Sequence, residues 1–263
     1  MSHAALKAAL ALAVLSGCAA PARGPACAER CVACHATHVG DDRACWTCHR
    51  GDPEATRREL AHRGLVRGPA AELGRPDSPV LRAGEHLVAT LACRRCHVVA
   101  GSGNELAVAL DRVAWRRDPS ALATSIREPV VNMPDFRLDE SQVQAALAFV
   151  LSSADPRTSV GTYRVHFTSR PERRPSAFDE HCGGCHRGLL AAGPAGHGAA
   201  GPNLSGLFTP HYPATAPGGG RWTWSALARW LERPLAGRPT TTMPPRRLAD
   251  EPLARLQAEL REP

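Results

Sequence analysis

Eight of the ten cysteines fall into four Cys-x-x-Cys pairs, and a histidine follows each pair at once: Cys31/Cys34/His35, Cys45/Cys48/His49, Cys93/Cys96/His97 and Cys182/Cys185/His186. At this composition roughly 0.02 copies of the pattern arise by chance, so four of them call for a chemical reason. The pattern suits covalent haem attachment: two thioethers fix a porphyrin to the chain, and the adjacent imidazole reaches the iron from one face. Zinc is the rival, because two Cys-x-x-Cys pairs can build a tetrahedral site. The histidine after every pair favours four haem c groups. What occupies the other face of each iron then decides between electron transfer and catalysis.

The elements that must hold these groups divide the chain. Aromatic residues make up 5% of it, too few for several ordinary side-chain cores in 263 residues, so something else fills part of the interior. Residues 27 to 75 are dense in cysteine, histidine and charge, and "GDPEATRRELAHRGL" predicts one helix from Pro53 to His62. The Pro- and Gly-rich stretch "RGPAAELGRPDSP", 67 to 79, reads as a linker. From Val80 the pattern turns to amphipathic helices: "LRAGEHLVATLACRRCH", "DPSALATSIREP", "VVNMPDF", "LDESQVQAALAFVLSS". The same order returns as "PSAFDEHCGGCH", "GPNLSGLF", "TWSALARWLERP", "TTMPPRR" and "LADEPLARLQAEL", an internal duplication. Between the copies, residues 156 to 175 form a linker with β-favouring alternation and room for a short hairpin.

The duplicated blocks, 80–155 and 176–263, resemble the class I cytochrome c family over about 180 residues. In both, a helix leads into Cys-x-x-Cys-His, a helix ends near proline, Met-Pro follows, and a last helix closes the block. The second copy also carries Gly-Pro-Asn-Leu at 201 to 204; the first departs from the family there, with "GNELAVAL" at 103 to 110. The resemblance implies an all-α fold: tandem class I cytochrome c domains behind a small, haem-packed diheme module, 27–75, with little regular structure. That module resembles the bis-histidine units of multihaem cytochromes through its haem and histidine spacing alone.

Met1, Met133 and Met243 are the three methionines, and the latter two lie where the resembled family places its distal iron ligand. The resemblance therefore implies His97/Met133 and His186/Met243 pairs, whose thioethers favour ferrous iron and raise the potential. The first two haems have no methionine at hand. Their block offers two further histidines, His38 and His62. His38 follows His35 too closely to swing to the far face of the same porphyrin, so it is expected on the haem of Cys45 and Cys48, and His62 on that of Cys31 and Cys34. The exchanged pairing and a surface role for either histidine stay open. Bis-His ligation predicts lower potentials for this pair. About 50 residues cannot bury two porphyrins separately, so the two should pack in near contact. His86, His166, His181, His197 and His211 read as surface or loop residues, and Cys27 as an unpaired thiol.

The N-terminus, with Lys7, the apolar run Ala8 to Leu15 and "LSGC" at 15 to 18, resembles a bacterial lipoprotein signal, 1–17, cleaved before a lipidated Cys18. Residues 18–26 would be the tether. The run is too short to span a bilayer. This places the mature chain outside the cytoplasm, where haem is joined to c-type apoproteins. Ala19, by resemblance to Gram-negative lipoproteins, favours the outer membrane. The net charge is +7, and Lys7 is the only lysine. Two propionates per haem largely offset that charge, so it is no argument for nucleic acid; the expected partners are other redox proteins, with the membrane reached through the lipid. With every iron given two protein ligands, the sequence reads as an electron carrier with no catalytic residue. A peroxidase or an oxidase of an inorganic substrate, with one iron position open, is the alternative.

Overall fold

A computed structural model describes residues 31–36, 38, 44–130, 132–155, 157 and 176–261. The expected signal and tether, Cys18, Cys27, His166 and nearly all of the 156–175 linker lie outside the described residues.

The first motif forms a single turn, in which His35 N–H donates to Cys31 C=O at 2.9 Å. The second is a short helix, α1 (Cys45–His49). The helix expected over Pro53 to His62 is cut to α2 (Arg58–Ala61). Asp52 is the reason: its Oδ1 accepts from Glu54 N–H at 3.0 Å, a local turn that competes with helix initiation. His62 follows α2 as its C-cap.

Residues 67–79 are not a linker. Gly68–Gly74 is a 3₁₀ helix whose Ala70 and Ala71 are buried in the same core as Val66, Leu81 and Leu147. The signals that suggested a linker, Pro69 and Gly74, serve packing instead. Pro69 opens the 3₁₀ turn, and a side chain at Gly74 would collide with the Thr47 carbonyl and the Cys48 sulfur.

That core is built by α3 (Pro79–Thr90), α4 (Leu110–Arg116), α5 (Pro119–Arg127) and α6 (Glu140–Ser152). Each long helix starts where its sequence says it should. Ser78 caps α3 through Val80 N–H, and Asp118 caps α5 through Ser120 N–H. Asp139 and Gln142 form a reciprocal capping box on α6. Gly84 lets α3 lie directly on α6, since a Cβ there would overlap the Ala145 carbonyl.

The second block begins with α7 (Ala177–His181), capped by Ser176. The structure is mostly helical, as expected; the one departure among the described residues is a hairpin within the glycine-rich loop, where Gly188–Leu190 (β1) and Gly193–Ala195 (β2) run antiparallel, pairing Gly188 with Ala195 and Leu190 with Gly193. Three small residues across the two strands, Gly188, Gly193 and Ala195, and Ala191–Ala192 at the turn allow a tight reversal where no helical period exists. Helices α8 (Trp224–Glu232), α9 (Pro234–Gly237) and α10 (Asp250–Leu260) complete the block. They enclose a second core centred on Phe178, Trp230 and Leu256, with Cys182 and Met243 at its edge. No helix among the described residues is long and apolar enough to cross a membrane.

Candidate functional site: four cysteine-histidine centres

Three of the four motif histidines are held by backbone carbonyls. His49 Nδ1 lies 2.9 Å from Val66 O, His97 Nδ1 2.8 Å from Val108 O, and His186 Nδ1 2.8 Å from Pro202 O. A carbonyl can only accept, so in each ring Nδ1 carries the proton and Nε2 keeps a free lone pair. This orients and polarises an imidazole for a metal on its Nε2 side. Burial further holds the His97 imidazole below its ordinary pKa, against the upward pull of the Val108 carbonyl, so the ring is neutral.

The other histidines of the first block meet these rings in pairs. His38 Nε2 sits 3.3 Å from His49 Nε2, with the rings edge to face at a 5.5 Å centroid separation. His35 and His62 stand 5.8 Å apart, tilted by 57°. Two imidazoles with facing Nε2 atoms are the donor set that one haem iron needs, because the porphyrin supplies its other four nitrogens. Among the described residues, no group of three His, Cys, Asp or Glu side chains converges as a protein-only metal site would require. The facing imidazoles of His38 and His49 therefore fit a haem iron.

The cysteines fit as well. The eight motif cysteines form no disulfide. Burial pushes the Cys93 and Cys182 thiols up to about 11, and it raises Cys96 against a hydrogen bond from Ser205. Such thiols stay protonated near neutral pH. Glycine leaves room beside the second-block motif: a side chain at Gly201 would overlap the His186 ring, and one at Gly198 the Cys185 backbone.

Met133 is half-buried in a turn closed by its N–H to Val130 O at 2.8 Å. Met243 Sδ accepts from Trp230 Nε1 at 2.9 Å. Of the histidines read as bland, His86 and His197 are exposed, His86 lies 3.3 Å from Thr90 Oγ1, and His181 approaches Glu180 at 3.9 Å.

Several supporting groups carry no sequence signal. The carbonyls of Val66, Val108 and Pro202 are main-chain atoms that any residue could offer. Arg50, next to His49, donates to Ala114 O at 2.6 Å and Leu151 O at 2.7 Å, tying the second motif to the ends of α4 and α6. Asp111, fully buried, accepts from Ala100 N–H, Gly101 N–H and Ser153 Oγ at 2.7 to 3.0 Å. Glu259 of α10 accepts from Ala177 and Phe178 N–H at 2.8 Å each, capping the helix that leads into Cys182. Acid placement at a helix start is a readable signal, but here the acid comes from the far end of the block.

Residues 79–150 match the family described as cytochrome C oxidase, cbb3-type, subunit III. Comparison with curated proteins and with solved structures gave no match.

Proposed function

From the premise that residues 79–150 are a c-type cytochrome domain, and the chain an electron-transfer haem protein with covalently bound haem c, we propose that it is a tetrahaem cytochrome lipoprotein. It carries electrons between redox proteins in a periplasmic or outer-membrane respiratory chain. In this reading Cys18 bears the lipid, residues 27–75 form the diheme module, and 80–155 and 176–263 form two class I domains.

Each Cys-x-x-Cys pair anchors one haem, which supplies a reversible one-electron iron couple. The protein's part is to ligate, orient and shield. His35 and His62 take the first iron, His49 and His38 the second, His97 and Met133 the third, and His186 and Met243 the fourth. Closed coordination leaves no position for a substrate, which is why the chain is read as a carrier. The observation that carries this is the Nε2-to-Nε2 approach of His38 and His49 while His49 Nδ1 is tied to Val66.

Cyanide and carbon monoxide test it. A carrier with four closed irons binds little of either at rest; stoichiometric binding at one iron would instead indicate a haem enzyme with an open position. The family description at 79–150 favours a second arrangement, in which the chain is the electron-entry subunit of a larger complex. Co-purification after mild solubilisation separates the two, since a free carrier comes out alone.

A further inference from the structure

The two blocks meet along the segment that departs from the family pattern. Asn104, in the "GNEL" stretch, donates to Arg95 O at 2.9 Å and across the boundary to Thr209 Oγ1 at 3.0 Å. Leu106 lines a small cavity with Leu189, Leu204, Leu207 and Leu260 of the second block. Arg95 Nη1 donates to Asn203 O at 3.2 Å, and its guanidinium lies 5.9 Å from the centre of the Tyr212 ring. Gly206 completes the fit, since a Cβ there would press on the Arg95 carbonyl and the Asn104 amide.

Asn203 is the crossing point. Its Oδ1 accepts from Ser205 N–H at 2.9 Å and Ser205 Oγ at 2.6 Å, which locks the amide. Its backbone carbonyl accepts from Arg95 and from Tyr212 Oη, both at 3.2 Å. That leaves Nδ2, which donates to Asn132 O at 3.2 Å. Asn132 immediately precedes Met133. One residue earlier, the Pro202 carbonyl holds His186. The dipeptide Pro202–Asn203 thus touches the histidine side of one haem centre and the methionine side of the other.

We propose that Asn203 is a positioning residue for Met133, supplied by the second block: its side-chain amide fixes the Asn132–Met133 peptide so that the methionine is presented to the iron of the Cys93/Cys96 haem. The inference rests on Met133 being that iron's distal ligand. A hydrogen bond from a locked amide to the peptide beside a ligand lowers the cost of holding the ligand in place. Methionine ligation in the first block then depends on the docking of the second.

The test is an imidazole titration of the ferric holoprotein, following loss of the weak red absorption band of methionine-ligated ferric haem. Met133→Ala and Met243→Ala assign the two methionine bands. Asn203→Asp keeps an acceptor for Ser205 but cannot donate to Asn132. Asn104→Ala cuts a different cross-block side-chain bond, the one to Thr209, and leaves Asn132 untouched. In Asn203→Asp the band assigned to Met133 should be displaced at about fivefold lower imidazole, the factor carried by one neutral hydrogen bond, while Asn104→Ala shifts it much less. Asn203→Ala gives the same readout if the carboxylate variant does not accumulate. An unchanged titration in both Asn203 variants, or an equal shift in Asn104→Ala, overturns the inference alone. If Met133→Ala removes no methionine band, the ligand assignment beneath it falls first.

Discussion

Arg50→Ala should cost far more than an ordinary surface arginine. The guanidinium donates at 2.6 and 2.7 Å to the carbonyls of Ala114 and Leu151, residues that are 0% and 2% exposed and stand at the C-terminal turns of two core helices. Such carbonyls at a helix C-terminus carry the negative end of the helix dipole, and the Leu151 carbonyl takes only a long bond from Ala154 N–H, 3.4 Å, besides the cap. Two charge-assisted bonds are each worth about 1.5–3 kcal/mol, and relief of the guanidinium's own desolvation returns part of that, so the net loss is about 3 kcal/mol. For a chain of this size that lowers Tm by about 6–12 °C. Urea unfolding of the holoprotein, followed by haem absorbance and far-ultraviolet circular dichroism, should show a lower midpoint at unchanged slope. Burial lowers the Arg50 pKa, but arginine stays charged well past neutrality, so the loss should be flat from about pH 5 to pH 9. Arg50→Lys, with one compact donor group, should recover about half. A loss below about 0.5 kcal/mol for Arg50→Ala would refute the role given to this residue.

Three further outcomes follow from the same reasoning. Asp111→Ala strands the Ala100 and Gly101 amides in the first core and should destabilise by about 3 kcal/mol in the same urea assay. Trp230→Phe removes the N–H donated to Met243 Sδ; the sulfur regains electron density that stabilises ferric iron, so the midpoint of the methionine haem assigned to Met243 should fall by about 20–40 mV in a potentiometric titration. Hydrogen bonds from Ser120 hold the Asp118 carboxyl below its ordinary 3.8. A depressed folded-state pKa gives stability that is present above the unfolded value and lost as pH falls through the folded one. The stability gap between the parent and Asp118→Ala should therefore be constant from pH 7 down to about 5 and close below about 4.

Where the sequence uses side chains to speak, it was readable. Ser78, Asp118 and the Asp139/Gln142 box announce three helices, and the cysteine-histidine spacing announces the haem chemistry. The three-residue spacing of His35 and His38 separates the two rings, and the structure sets His38 beside His49 and His62 beside His35. Where main-chain atoms or distant partners decide, the sequence was silent. Asp52 turned a predicted ten-residue helix into four residues by bonding locally. The Pro and Gly of 67–79 looked like a linker because composition does not reveal that Ala70 and Ala71 are buried. Glu259 caps a helix more than eighty positions away, and Asn203 reaches Asn132 across the two blocks; neither pairing leaves a local pattern. The substitution of "GNEL" for Gly-Pro-Asn-Leu was visible as a departure, but only the contacts of Asn104 and Leu106 with the second block give it a purpose.

Four closed irons of two kinds, as proposed, leave a distinct signature in a redox titration of the purified holoprotein followed by electron paramagnetic resonance. Four one-electron steps are expected, all low-spin, with two bis-histidine centres at lower potential and two histidine–methionine centres at higher potential. A high-spin ferric centre in the resting protein, or fewer than four steps, would contradict that proposal.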